Sequence, residues 1–367
     1  MKNKIFTIIM AALILLGSIG FCLAPDKSFS ETERRLLQQA PALSLKSLLD
    51  GSFMDNFESY AQDQFPLRDR LRGLKSAFAL GGMMQGDNNG LYIFRRQEIS
   101  KIDYPLSEKM LDYAAGRIEN IHARYLEGTD CQVYFSLIPD KNYFLGPMAK
   151  RPYLDFSQLE SYMLEKTDYM EYIPIAQYLS LNDYYSSDSH WRQENILPVA
   201  GAICAAMGAK ALSYTDSDEK FIAEPFRGVY AGQLGIEHIS DRLYYIETDS
   251  IRACTLTSYD SGKAETVPFY DMEAARGRDP YEMYLNGADA LLVIENPTAQ
   301  TGRELVIFRD SFGSSLAPLL IESYDKITLV DLRYIHSAML GQYIDFSNQD
   351  VLFIYSSGLL NNSLALK

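Results

Sequence analysis

The 367-residue chain is poor in the side chains that most often carry chemistry, with four histidines, four cysteines and a single tryptophan. Beyond the N-terminal segment, Cys131, Cys204 and Cys254 stand far apart without a Cys-x-x-Cys pair, and an odd number cannot all pair, so they read as buried small hydrophobes. The histidines lack close Cys or carboxylate spacing, so neither a structural metal nor a cofactor is expected. No run of Lys and Arg appears, and the formal net charge is −14 with a pI near 4.8. That balance excludes nucleic acid as a partner and discourages peripheral binding to anionic lipid. Internal repeats and low-complexity segments are also missing, whereas 47% hydrophobic content is ordinary for a packed globule.

One long apolar run is present. From Ile5 to Ala24 the chain is uncharged, long enough as a helix to span a hydrocarbon core of roughly 30 Å. A cleavage site at Cys22-Leu23-Ala24 is followed directly by Pro25, and bulky Phe21 argues against lipid attachment at Cys22. The reading is an uncleaved membrane anchor over 1–24, with a cleaved signal and a secreted protein as the alternative. Lys2 and Lys4 before the run are balanced by Lys27, Arg34 and Arg35 after it, so orientation rests on the signal-like format, which puts 25–367 outside the cytoplasm.

A stalk and helical segment is expected over 25–80, where Leu48, Leu49, Phe53, Phe57 and Tyr60 recur at helical spacing up to a break at Pro66. The turn in QGDNNGLYIF opens an α/β domain over 81–367. Helices are expected over 107–127, 158–181, 194–210 and 314–324, and CQVYFSLIP, DALLVIENP, GRELVIF, KITLVDL and DVLFIYSS read as apolar strands. Helix and strand in alternation predict a parallel sheet. Short strands over about 220–275 form either a β-rich insertion or an antiparallel extension of that sheet. Some of the 26 tyrosines, where exposed, could stack on sugar rings.

The chemistry concentrates in two places. In GRELVIFRDSFGSS a strand ends, turns sharply and enters a helix, so Ser311 falls at the C-terminal rim of the sheet, beside free backbone N–H groups that can hold an oxyanion. Gly313 would let backbone and substrate approach closely, and Asp310 competes for the helix cap, leaving the Ser311 hydroxyl free. Serine needs an imidazole to take its proton and a carboxylate to orient that imidazole. DSHW offers both: an extended loop would turn Asp188 and His190 to one side, with Trp191 walling the ring from water. His336 is a rival base, while His122 and His238 read as structural. In IPDKNYF, Asp140 and Lys141 are either a charged turn or a substrate contact, and the sequence does not choose.

DSHW and RDSFG, together with FSETERRLLQQAP, FESYAQDQFPLRD and GLYIF, resemble the bacterial DHHW family, related to the SGNH-type domains of alginate O-acetyltransferases. The resemblance implies an SGNH-hydrolase-like three-layer α/β/α fold with a mostly parallel sheet and permuted motif order. It also implies a triad of Ser311, His190 and Asp188. Two departures stand out: Ser189 replaces the second residue of the family's name motif, and Arg309 occupies the position of the glycine in the usual GDS. The oxyanion donors are then the Ser311 N–H and, as a charged contributor, Arg333. The implied function is acyl transfer outside the cytoplasm, by an O-acetyltransferase or acetylesterase acting on a cell-surface polysaccharide, with a multispanning membrane acyltransferase as the acetyl donor. The alternative is a membrane-tethered glycan-binding or assembly protein without turnover, which Arg309 and the lack of oxyanion motifs favour.

Overall fold

The computed structural model describes every residue except Met1, Glu31, Arg34 and Arg278, and leaves the side chains of Lys2 and Asn3 undescribed, so of the charge balance Arg34 and the side chain of Lys2 lie outside what is described. Two compact units divide the chain: Met1–Asn88 with Ala231–His238, and Asn89–Tyr230 with Ile239–Lys367.

In the first unit a helix runs Lys2–Leu23, and its apolar side chains, Phe6, Leu13 and Leu16 among them, are exposed. Among the described residues it is the one helix long and apolar enough to cross a membrane. Strands β1 (Phe29–Ser30) and β2 (Arg35–Leu36) then pair antiparallel. Helices Ser52–Asp63 and Arg68–Ser76 flank the break at Pro66. Arg35 grips Asp63 with two hydrogen bonds of 2.9 and 2.6 Å, and Arg72 donates to the Gly232 carbonyl at 2.8 Å.

The second unit begins with a hairpin of β3 (Leu91–Phe94) and β4 (Glu98–Lys101). Its main sheet is built from β5 (Gln132–Ile138), β6 (Glu171–Tyr172), β9 (Thr255–Ser258), β10 (Glu265–Val267), β11 (Leu291–Glu295), β12 (Glu304–Arg309), β13 (Lys326–Val330) and β14 (Asp350–Ser356), while β7 (Glu219–Phe221) and β8 (Tyr244–Ile246) pair separately. The order is β10-β9-β11-β13-β12-β14-β5-β6. From β13 to β6 neighbouring strands are parallel, and β11, β9 and β10 extend the edge antiparallel. The sheet is therefore mixed and largely parallel, and the 220–275 stretch divides between an edge extension and a small sheet of its own.

The middle strands read as unbroken apolar runs because both their faces are covered. Leu305, Ile307, Leu352 and Ile354 face one core with Val199 and Ile203 of helix Leu197–Ala206; Val306, Phe308, Val351 and Phe353 face the other with Leu111 and Ile118 of helix Glu108–Ile121. Two expected helices change form. The one over 158–181 stops at Lys166, and Pro174 helps explain why: it cannot donate to a helix and biases Ile173 toward extended backbone. Its apolar residues Ile173, Ile175 and Leu179 pack from irregular chain instead. The other starts at Phe312 and, around Pro318, tightens to 3₁₀ turns over Ala317–Ser323.

Parallel register puts the ends of β12, β14 and β5 in one row, since Arg309 pairs with Ile354 and Ser356 with Ile138. Asp310 ties two of these ends together: Oδ2 accepts from the Ser356 N–H at 2.8 Å and Oδ1 from the Phe312 N–H at 3.1 Å. The DSHW loop is fastened to this rim by charge. Lys141 is fully buried, donates to the carbonyls of Ile99, Tyr185 and Ser186 at 2.8, 2.6 and 2.9 Å, and pairs with Glu98 at 3.0 Å. Burial pushes its ammonium below the ordinary lysine range. Of the two readings left open for Lys141, substrate contact is thus overturned; the side chain is an internal clamp. Asp241 completes the fastening by accepting from the Ser186 and Ser187 N–H groups, both at 2.9 Å, and from Arg192 at 2.5 Å.

Glu194, three residues past the loop, has little solvent; its Oε2 has no hydrogen-bond partner and Arg192 lies 3.9 Å from Oε1. Burial pushes its carboxyl from 4.5 up to about 7. A raised native pKa means a stability contribution that is complete below 4.5 and lost as pH rises through about 7. Glu194→Gln is expected to flatten the fall in melting temperature across that window. Parallel melting curves for variant and wild type from acid to mildly alkaline pH would refute this.

Candidate active site

Ser311 directly follows the β12 rim and is partly exposed. Because Asp310 accepts from Phe312 N–H, the serine side chain has no capping duty. Its Oγ lies 2.7 Å from His190 Nε2, and His190 Nδ1 lies 2.6 Å from Asp188 Oδ1. With Nδ1–H donated to the carboxylate, the Nε2 lone pair faces the serine hydroxyl.

The DSHW loop is bent, not extended as the sequence reading has it. Asp188 Oδ1 accepts the His190 N–H at 3.0 Å, a carboxylate bonding to backbone two residues on, and this turn folds the imidazole back over the acid. Asp188 is wholly buried, and its Oδ2 accepts the Val229 N–H at 2.7 Å. Gly228 leaves room for it: a Cβ there would stand 2.2 Å from Asp188 Cβ and 2.5 Å from Oδ2. The imidazole is enclosed by Tyr281, stacked at 3.9 Å, and Phe312 at 4.9 Å. Trp191 is one layer back, edge-on to Phe312 at 5.2 Å, with its indole N–H given to Ser315 Oγ at 2.8 Å.

The other expected site residues are elsewhere. Gly313 serves packing, since a Cβ would meet Arg309 Cβ at 2.6 Å. Arg309 is fully buried and directed at Asp331 Oδ2, 3.4 Å away, with carbonyls of Gly287 and Asp289 also at 3.4 Å, so it does not line an open rim. Arg333 is fork-bonded to the same Asp331 at 2.9 and 2.6 Å, one carboxylate thus holding both guanidinium groups. The Ser311 N–H has no hydrogen-bond partner among the described residues and stays available as an oxyanion donor. His336 is exposed and caps a 3₁₀ turn through the Ala338 N–H at 3.2 Å; His122 packs tilted against Tyr169 at 4.3 Å; His238 is exposed. Asp140 caps the helix that begins at Lys141, and burial, reinforced by Asp103, pushes its carboxyl up to about 6. No group of three or more His, Cys, Asp or Glu among the described residues could hold a metal ion.

Sequence reasoning missed Tyr281, Gly228, Val229 and Asp241. The Tyr281 segment offered only a Pro-Tyr turn, and the backbone N–H of Val229 carries no residue signal at all.

No curated protein matches the sequence. Among solved structures the chain is similar to a DHHW family protein from Eubacterium siraeum DSM 15702, with 19% identity and a TM-score of 0.59 over 77% of this chain and 97% of that one. It is also similar to Bacillus cereus PatB1, with 21% identity and a TM-score of 0.60 over 74% of this chain and 97% of that one, and to PatB1 with a sulfonyl adduct, with 23% identity, the same TM-score and the same coverage. These likenesses are of fold. Residues 168–330 match the family model described as DHHW protein, a segment that holds both the DSHW loop and the RDSFG turn.

Proposed function

We propose that the protein is a serine-dependent acyl-transfer enzyme, an O-acetyltransferase or acetylesterase for a cell-surface polysaccharide, held outside the cytoplasm by its N-terminal helix. Its α/β domain is read as a permuted SGNH-type fold, with acid and base preceding the nucleophile in the chain. One observation carries the proposal: an unbroken hydrogen-bonded line from Ser311 Oγ to Nε2 at 2.7 Å and from Nδ1 to Asp188 at 2.6 Å.

Ser311 Oγ attacks the acetyl carbonyl while Nε2 takes its proton. Buried Asp188 stabilises the imidazolium that results, and the Ser311 N–H faces the charge developing on the carbonyl oxygen. Collapse expels the donor's alcohol oxygen, which leaves with the proton from Nε2, and an acetyl-serine remains. A sugar hydroxyl or water then gives its proton to Nε2 and attacks that ester, restoring Ser311. A multispanning membrane acyltransferase that passes acetyl groups outward is the partner this scheme calls for. PatB1, similar in fold, has been solved with a sulfonyl adduct, which recommends a sulfonyl fluoride as the probe. Burial of Arg309 against Asp331, away from the rim, supports the catalytic reading over a non-catalytic glycan binder.

Full-length protein in detergent, given a chromogenic acetyl ester, is expected to lose about 10²- to 10⁴-fold in rate as His190→Ala, and Ser311→Ala should also refuse sulfonylation, as located by mass spectrometry. Equal rates in wild type and both variants would end the proposal. Gly228→Ala, which crowds Asp188, should lower kcat roughly tenfold or more with little change in KM, and a full-rate variant would show that the acid does not need its present position.

A further inference from the structure

We infer that Tyr281 is a positioning residue that fixes the plane of the His190 imidazole, an inference that rests on the acyl-transfer reading. The two rings lie 3.9 Å apart, centroid to centroid, and only 11° from parallel. Phe312 closes over the imidazole at 52° and 4.9 Å, so the histidine is held between a flat surface and an inclined one.

Tyr281 is itself immobilised. It is 4% exposed, its backbone N–H is capped by Asp279 at 3.1 Å, and Tyr284 and Tyr185 pack on it at 5.0 and 6.4 Å. Its hydroxyl lies 2.7 Å from Ser315 Oγ. That oxygen also accepts the Trp191 indole N–H at 2.8 Å and has its own proton in reach of the Phe312 carbonyl at 3.3 Å. Either hydroxyl can donate in this pair, and with one donor and two acceptor sites the Ser315 oxygen can hold Tyr281, Trp191 and Phe312 together. The side chain stacked on His190 is thus anchored to the helix that starts beside Ser311, and by the same atom to the residue following the histidine.

The reaction gives this arrangement a purpose. The imidazole must take a proton from Ser311 and return it to a different oxygen, a movement of a few tenths of an ångström within the ring plane. Turning the ring over would put carbon where nitrogen is needed and break the bond to Asp188. A parallel ring at van der Waals distance lets the imidazole slide and opposes tilt and flip. It also keeps water from that face.

Four histidines make the test direct. Full-length protein labelled with ¹⁵N-histidine should show one downfield, slowly exchanging imidazole Nδ1–H from His190. Tyr281→Phe keeps the flat ring and is expected to keep that resonance and kcat within about threefold. Tyr281→Leu removes the plane, and should broaden or lose the resonance and lower kcat roughly tenfold or more, with KM nearly unchanged. A folded Leu variant with both resonance and kcat preserved would overturn the inference, as would equal losses in the Phe and Leu variants, which would mark the hydroxyl as the active part. If the Leu variant does not fold, Tyr281→Met, which fills the space without a flat face, is read the same way: an unchanged resonance and kcat in the folded protein would overturn it. Ser311→Ala and His190→Ala are assayed alongside. Full activity in those two is failure of the acyl-transfer reading, whereas their loss of activity beside an unaffected Tyr281→Leu is failure of this inference alone.

Discussion

A carboxylate withdrawn completely from water needs a hydrogen-bond donor for each oxygen, and much of the geometry around Asp188 follows from that need. One oxygen takes the backbone and ring of His190, the other the Val229 N–H. Each donor constrains a different part of the chain. The loop must bend back on itself, and the segment at 228–229 must come close enough that residue 228 has no side chain. Ser311 takes its place from the rim of β12.

The same logic is repeated in the buried charges that surround the line. Lys141, Asp241 and the Arg309–Asp331–Arg333 group are each taken out of water and each supplied with several partners, many of them backbone atoms. Such arrangements add little net stability compared with apolar packing, but removing one member leaves the rest uncompensated. They define position more than they supply energy. That suits a loop whose imidazole stands within hydrogen-bond distance of a serine far away in the chain.

Legibility in the sequence follows from which partner makes each contact. The middle strands could be read because their neighbours on both faces are apolar, and Asp188, His190 and Ser311 stand out because scarce side chains fall at a bend and at a strand-to-helix turn. Lys141 could not be read: apart from Glu98, distant in the chain, its partners are carbonyl oxygens, which every residue has, so the sequence shows only a charge beside a strand end. Gly313 looks like a ligand-facing glycine because the position is right, but the space that it leaves is taken by Arg309. The spacing predicts a helix over 158–181 that in fact ends at Lys166, because Ile173, Ile175 and Leu179 keep helical spacing while packing from irregular chain.

Tyr281 shows where such reading stops and what the fold adds. Nothing near it in sequence calls for an aromatic ring, and its stacking partner comes from a loop on the other side of the β-rich stretch. Only when β11, β12 and β13 are assembled do the turn at 280–283 and the helix at 312–316 meet, and only then does Ser315 have both Tyr281 and Trp191 within reach. The site consequently rests on contacts of high sequence separation, His190 with Ser311 and Tyr281 with Ser315 among them. The imidazole is held by a carboxylate at its edge, a tyrosine on one face and a phenylalanine on the other. The carboxylate is anchored at Val229, whereas the two rings share an anchor in Ser315, so the faces of the imidazole are set as one unit and its edge by another.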